Sequence, residues 1–279
     1  MGGGKTQDAP LADDLEGAEV ARHLNKRYAE SVSNCSGGPR MPAFLCSGII
    51  LRAAKYSPNY HAWVPNPNDP NGDGVSFSFL RHDAKFKALA YGYQQGFIAY
   101  PVAYTPPSLI HLQVLCGFPL DAATDIRSDS GCGPSDRYPN QSGPCQAQAI
   151  FTAPQWITHY RTAVEEPHRF QCGFTLAAGT ANSAAIFMEM LESMHELGEE
   201  SFNVQNELII RSWAATPNHV PIEAFFYVGG TQGLGAAQNI QRDFSQTVDA
   251  WRPVIRMNLP ATSTGSVTFE YVPGEQAVR

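Results

Sequence analysis

Charge is scarce in this chain. Only 16% of its 279 residues are charged, and 19 basic residues against 26 acidic ones leave a net charge of −7. No basic stripe runs along any segment, so the electrostatic footprint of a nucleic-acid partner is missing. Long apolar runs are lacking as well. None approaches the roughly 20 residues that a membrane span needs. The opening stretch, MGGGKTQDAPLADDLEG, holds no apolar signal core. Its GKT is no phosphate-binding loop, because no strand precedes it and the motif's earlier glycine is absent. Gly2 to Thr6 fits the myristoylation pattern, but residues 1–16 are read as a flexible leader of the kind left when an export signal is removed. C-x-x-C pairs are absent, which argues against a zinc ribbon and a thioredoxin-like redox site. No internal repeat is visible.

What is present is core material and punctuation. Apolar residues make up 43% of the chain, with 24 Gly, 21 Pro and 11% aromatics, a composition of short strands separated by many turns. The expected fold is a single α+β domain over 17–279, of mostly antiparallel short strands with peripheral helices. Helices are predicted over Glu16–Ser33, Ala84–Tyr93, from Thr152 as N-cap through Trp156 and Tyr160, over Asn182–Leu197, and within Gln232–Trp251. Strands are predicted within Pro42–Ala54, Gly74–Arg81, Gly96–Ala103 and Ile110–Leu115, in the run after Glu207, over Ile222–Val228, Pro253–Leu259 and Ser266–Val272. The loop from Tyr56 to Gly74 carries Tyr56, Tyr60, His61 and Trp63, more rings than an exposed loop usually holds.

Six cysteines, Cys35, Cys46, Cys116, Cys132, Cys145 and Cys172, lie among Gly, Ser, Pro and Asn in the first two-thirds of the chain. An even set on loops is the pattern of an exported, disulfide-stapled protein. Cys35–Cys46 and Cys132–Cys145 each close a short polar loop and are the favoured pairs, which leaves Cys116–Cys172. A secreted, monomeric protein is expected.

Three polar features stand out. Arg52 ends the apolar run Ile49-Ile50-Leu51, either as a strand end meeting water or as an anion anchor. In GVSFSFLR, Val75, Phe77 and Phe79 alternate with Ser76 and Ser78, so the serine face meets solvent or a site. Gln205 and Glu207 flank Asn206 at the mouth of an apolar strand, and two-residue spacing sends both side chains off one face of an extended chain. A carboxylate can stabilise an oxocarbenium-like sugar. An arginine fork suits a diphosphate. Serine hydroxyls can orient both.

In order and spacing these features resemble the arginine-serine-glutamate class of ADP-ribosylating toxins, the cholera and pertussis toxin group. ILRAA resembles that family's arginine-ended strand, GVSFSFLR its serine strand with Phe77 in place of a threonine, and NVQNEL its Q-x-E loop. Within the group, the phrases AFLCSG, GVSFSFLR, GPCQAQ, FQCGF, QNE and IEAFFYV are similar to halovibrins, secreted bacterial enzymes that hydrolyse NAD. The resemblance implies NAD as substrate without a metal, and cleavage of its nicotinamide–ribose bond by hydrolysis or by transfer to a protein acceptor. It implies Glu207 as the catalytic carboxylate, Gln205 positioning water or acceptor, Arg52 anchoring phosphate or ribose, and Ser76 and Ser78 orienting Glu207. One of Tyr56, Tyr60 and Trp63 is the candidate ring to stack on NAD, Tyr60 being the one chosen for the site and core packing being favoured for Trp63. Gln at 205 removes the carboxylate that arginine-modifying members use on their acceptor.

Other readings follow from the same residues. Cys145 with His159 would make a cysteine hydrolase if the thiol were free. His61 and His82 lack a spaced set of partners for a metal. An exported, disulfide-stabilised module that binds glycan or protein would use the aromatic loops and need no chemistry at Glu207.

Overall fold

The computed structural model describes residues 12–31, 47–57, 59–64, 75–100, 110–122, 132–133, 143–162, 170–176, 183–214 and 219–278. Helices α1 (Ala12–Ala29), α2 (Ala153–Thr162), α3 (Ser183–Leu197), α4 (Glu199–Asn203) and α5 (Thr231–Val248) accompany nine strands. The strands are β1 (Ile49–Ala53), β2 (Val75–Leu80), β3 (Gln95–Ala99), β4 (Ile110–Phe118), β5 (Phe174–Thr175), β6 (Glu207–Ala214), β7 (Ile222–Tyr227), β8 (Val254–Asn258) and β9 (Thr268–Tyr271). They form one mixed sheet in the order β5-β4-β6-β2-β1-β3-β7-β8-β9. Only the β7–β8 pair is parallel among these strands, so the α+β, mostly antiparallel expectation holds.

Alternation along the strands gives the sheet two apolar faces. Ile50, Phe77, Phe79, Phe97 and Phe225 join one cluster, capped by Trp156 of α2, Phe187 and Met190 of α3, and Ile240 and Phe244 of α5. Ile49, Leu51, Leu80, Ile98 and Phe226 point the other way, under Ala21, Leu24 and Tyr28 of α1. A shift of register between Ile98 and Ala99 alters the alternation of β7. There Glu223 meets Arg27 of α1 in a buried, two-pronged ion pair of 3.1 and 2.8 Å.

Several expectations are corrected. Ala84–Tyr93 forms no helix. It runs through bends to a single 3₁₀ turn at Ala90–Gly92, because Phe86 and Leu89 are both drawn into the α1-side cluster. The first helix begins at Ala12, inside the stretch read as leader. The disulfides are Cys116–Cys132 and Cys145–Cys172, not Cys132–Cys145 and Cys116–Cys172. The reason is β pairing. Cys116 on β4 lies beside Thr175 of β5, while Pro144 and Gly173 form a bridge that brings Cys145 to Cys172. The two cystines are close neighbours: a Cβ on Gly173 would lie 2.3 Å from Cys116 Sγ. They close loops with separations of 16 and 27 residues, worth on the order of 3 kcal/mol each in the chain-entropy account. Cys35 and Cys46 lie outside the described residues. Among those residues no helix is long and apolar enough to cross a membrane, and no group of three or more His, Cys, Asp or Glu is placed to hold a metal. The cystines and the lack of such a helix are compatible with an extracellular protein.

The Arg27–Glu223 pair generates a test. Removing one partner strands the other charge in an apolar interior, so Glu223→Ala is expected to cost about 3–5 kcal/mol in a denaturant titration. The double change Arg27→Met, Glu223→Leu is expected to recover most of that loss.

Candidate active site at the fork of the sheet

β2 is shared between two half-sheets. Its first half, Val75 to Phe77, pairs with Ile210 to Leu208 of β6, and its second half, Ser78 to Leu80, pairs with Leu51 to Ile49 of β1. The sheet therefore forks at Ser78. Continuing the β2–β6 register by one step sets Ser78 opposite Glu207, and Ser76 is opposite Ile209. The serines and Glu207 thus share one face. Ser78 is 2% exposed and Glu207 1%.

Where β6 leaves β2, a side chain replaces the ladder. Asn206 accepts from the Phe79 N–H at 2.8 Å and donates to the Phe79 carbonyl at 2.7 Å, doing for Phe79 what a neighbouring backbone residue would do. Its neighbours are pinned separately. The Gln205 side-chain oxygen accepts from Ala90 N–H at 3.1 Å, and its main-chain carbonyl accepts from Asp121 N–H at 2.7 Å. Glu207 Oε2 accepts from Ala122 N–H at 2.9 Å. Gln205 precedes the strand, and its side chain and that of Glu207 go to different loops rather than to one common point. The turn held by Gln205 carries Tyr91, which takes a left-handed φ of 57° and exposes 73% of its surface.

Arg52 follows Leu51 on β1 and pairs with Phe97, so its side chain leaves the face opposite to Ser78 and Glu207. One guanidinium N–H donates to the Val64 carbonyl at 3.3 Å, which ties the ring-bearing loop to β1. Burial pulls the Arg52 guanidinium down to about 10, opposed by the nearby Tyr60 and Tyr93, and it stays cationic at neutral pH. The backbone is close here too: a Cβ on Gly96 would lie 2.0 Å from the Arg52 carbonyl oxygen, so β3 needs glycine opposite the end of β1. Tyr60 donates its hydroxyl to the Lys55 carbonyl at 3.2 Å.

Trp63 packs in the core, as expected, with its edge against Phe244 and His219 and its face against His61. Its indole N–H and His61 Nδ1 both meet Asp243 Oδ2, at 3.0 and 2.9 Å. The adjacent spacing of His61 and Trp63 gave no hint of this shared carboxylate on α5. His82 instead meets Ser31. The cysteine-hydrolase reading fails, because Cys145 is bonded to Cys172 and His159 Nε2 accepts from the Cys172 N–H at 3.1 Å. Two cavities among the described residues, of about 350 and 470 Å³, lie beside Trp251 and between His82 and His195. Neither is lined by Arg52, Gln205 or Glu207.

The sequence signal for the fork was Asn206 itself, a side chain able to donate and accept at once. Compared with protein families and with curated proteins, the chain finds no match in either.

Two measurements check this geometry. Asn206→Ala leaves the buried Phe79 amide without a partner and is expected to cost about 3 kcal/mol by urea titration. Burial lowers His219 below its ordinary value. The unfolded chain, with His near 6.5, then binds more protons, so stability falls as pH drops from about 6.5 towards the folded-state value. His219→Gln is expected to flatten that part of the stability–pH curve.

Proposed function

We propose that the chain cleaves the nicotinamide–ribose bond of NAD, releasing nicotinamide and passing the ribosyl centre to water or to a protein acceptor. The observation that carries this reading is a buried carboxylate on the serine face of the sheet: Glu207 begins β6, and Ser76 and Ser78 leave β2 on the same face. Leaving-group departure makes the anomeric carbon cationic, and a carboxylate withdrawn from water acts strongly on such a centre. Glu207 supplies the carboxylate, and Ser78 brings a hydroxyl to the same face of the sheet. Arg52 leaves the other face of the sheet and donates to the Val64 carbonyl, so this reading gives it no contact with a diphosphate held at Glu207.

A second reading has its own observation. Glu207 is 1% exposed and bonded to a main-chain N–H, and Gln205 and Asn206 also serve main-chain groups. That is how a structural seam in a disulfide-stabilised binding module would look.

Incubation with NAD separates the two. Nicotinamide release by the wild type, reduced about 100- to 1,000-fold in Glu207→Gln with the fold intact, is the expected result. No release by the folded wild type would leave the binding module. Full turnover by Glu207→Gln would remove the role of the carboxylate.

A further inference from the structure

The segment Pro119 to Ala122 leaves the end of β4 and crosses the start of β6. Two consecutive amides act on the Q-x-E triplet, Asp121 N–H on the Gln205 carbonyl and Ala122 N–H on Glu207 Oε2. Short main-chain donors of this kind hold only if the segment itself is held. Cys116 lies on the β4 strand that leads into it, and Cys132 lies beyond it, so their cystine spans the segment. The cystine packs with Ala122, Phe118 and Ile209 in one buried cluster, and Ile209 is two residues along β6 from Glu207. Gln171 adds a strut by donating to the Leu120 carbonyl at 3.1 Å.

We propose that the Cys116–Cys132 cystine is the positioning device for Glu207, so that the chain acquires its site only after oxidation. This rests on the reading of Glu207 as the working carboxylate. With two free thiols, Cys132 is no longer bonded to β4 beside Ala122, and the Ala122 N–H is held on the carboxylate less firmly. Oxidation joins the two sulfurs, and a disulfide oxidant such as oxidised glutathione takes up the two electrons and two protons as two thiols. Cys116 and Cys132 are fully buried in the finished fold, so the bond is a maturation step and not a reversible switch. A chain made in a reducing compartment is then silent, and it becomes active where disulfides form.

The double variant Cys116→Ala, Cys132→Ala tests this, with Cys145→Ala, Cys172→Ala as the comparison. Hydrogen exchange at the Asp121 and Ala122 amides is expected to quicken about 100-fold in the first variant, while β1, β3 and β7 keep their protection. In the same variant, kcat for nicotinamide release is expected to fall at least tenfold with KM for NAD within about twofold, because positioning is lost and uniform binding is not. Wild-type chain refolded with oxidised glutathione is expected to be active, and chain refolded and assayed in reductant inactive. Unchanged protection at Asp121 and Ala122 would overturn the proposal. So would loss of cooperative unfolding throughout the molecule, which would make the cystine a general staple. A rise in nicotinamide release would make the segment a cover rather than a support. If the wild type releases no nicotinamide, the proposed activity fails, while the exchange measurement still decides whether the cystine holds Ala122 against Glu207.

Discussion

One side-chain amide lets the sheet divide. Asn206 takes over both main-chain hydrogen bonds of Phe79 on the β6 edge of β2, just past the point where β6 departs, while β1 pairs along the other edge. An unpaired N–H and C=O in that dry position would cost several kcal/mol together. With the amide in place, the residues on either side are free to serve other segments. Gln205 reaches Ala90 and Asp121, and Glu207 reaches Ala122. The triplet is thus a polar seam joining β2, the turn before β3 and the segment after β4. Any chemistry at Glu207 depends on that seam being closed.

Several charged groups among the described residues sit at joins of the same kind. Arg27 and Glu223 fasten α1 to β7 under the sheet. Arg81 holds Asp83 and Ser47. Arg256, Glu275 and Tyr227 fasten the C-terminal residues to β7 and β8, where burial and the Glu275 carboxylate push the Tyr227 hydroxyl up. Gln276 and Gln241 finish that seal with bonds to Val254 and Ala277. A charge or carboxamide placed where two elements meet satisfies groups that neither element can satisfy alone. That explains how a chain with a low charged fraction still holds a nine-stranded sheet to five described helices.

Much of the scaffold was legible from residue order. The Val75-Phe77-Phe79 alternation marks β2, and Phe187, Met190 and Met194 mark the buried stripe of α3, because periods of 2 and 3.6 are local properties of the backbone. The helix expected at Ala84–Tyr93 shows the limit. Its composition favours helix, but Phe86 and Leu89 pack under α1, Lys87 N–H bonds the Phe202 carbonyl, and Tyr91 and Gly92 turn left-handed. Tertiary contacts outweighed propensity there. The cysteines show a second limit. Loop lengths favoured Cys132–Cys145, whereas pairing of β4 with β5 and the Pro144–Gly173 bridge selected other partners.

The sequence by itself determined the α+β class, the buried faces of the strands, and the arrival of a Gln-Asn-Glu triplet at the mouth of β6. Only the tertiary structure decided what each member of that triplet does. The partners of Asn206, Gln205 and Glu207 lie 127, 115 and 85 residues away in the chain, and main-chain donors carry no residue-specific signature. Arg52 was visible as the end of an apolar run, but its departure from the face opposite to Glu207 follows from strand register, which a one-residue slip would reverse.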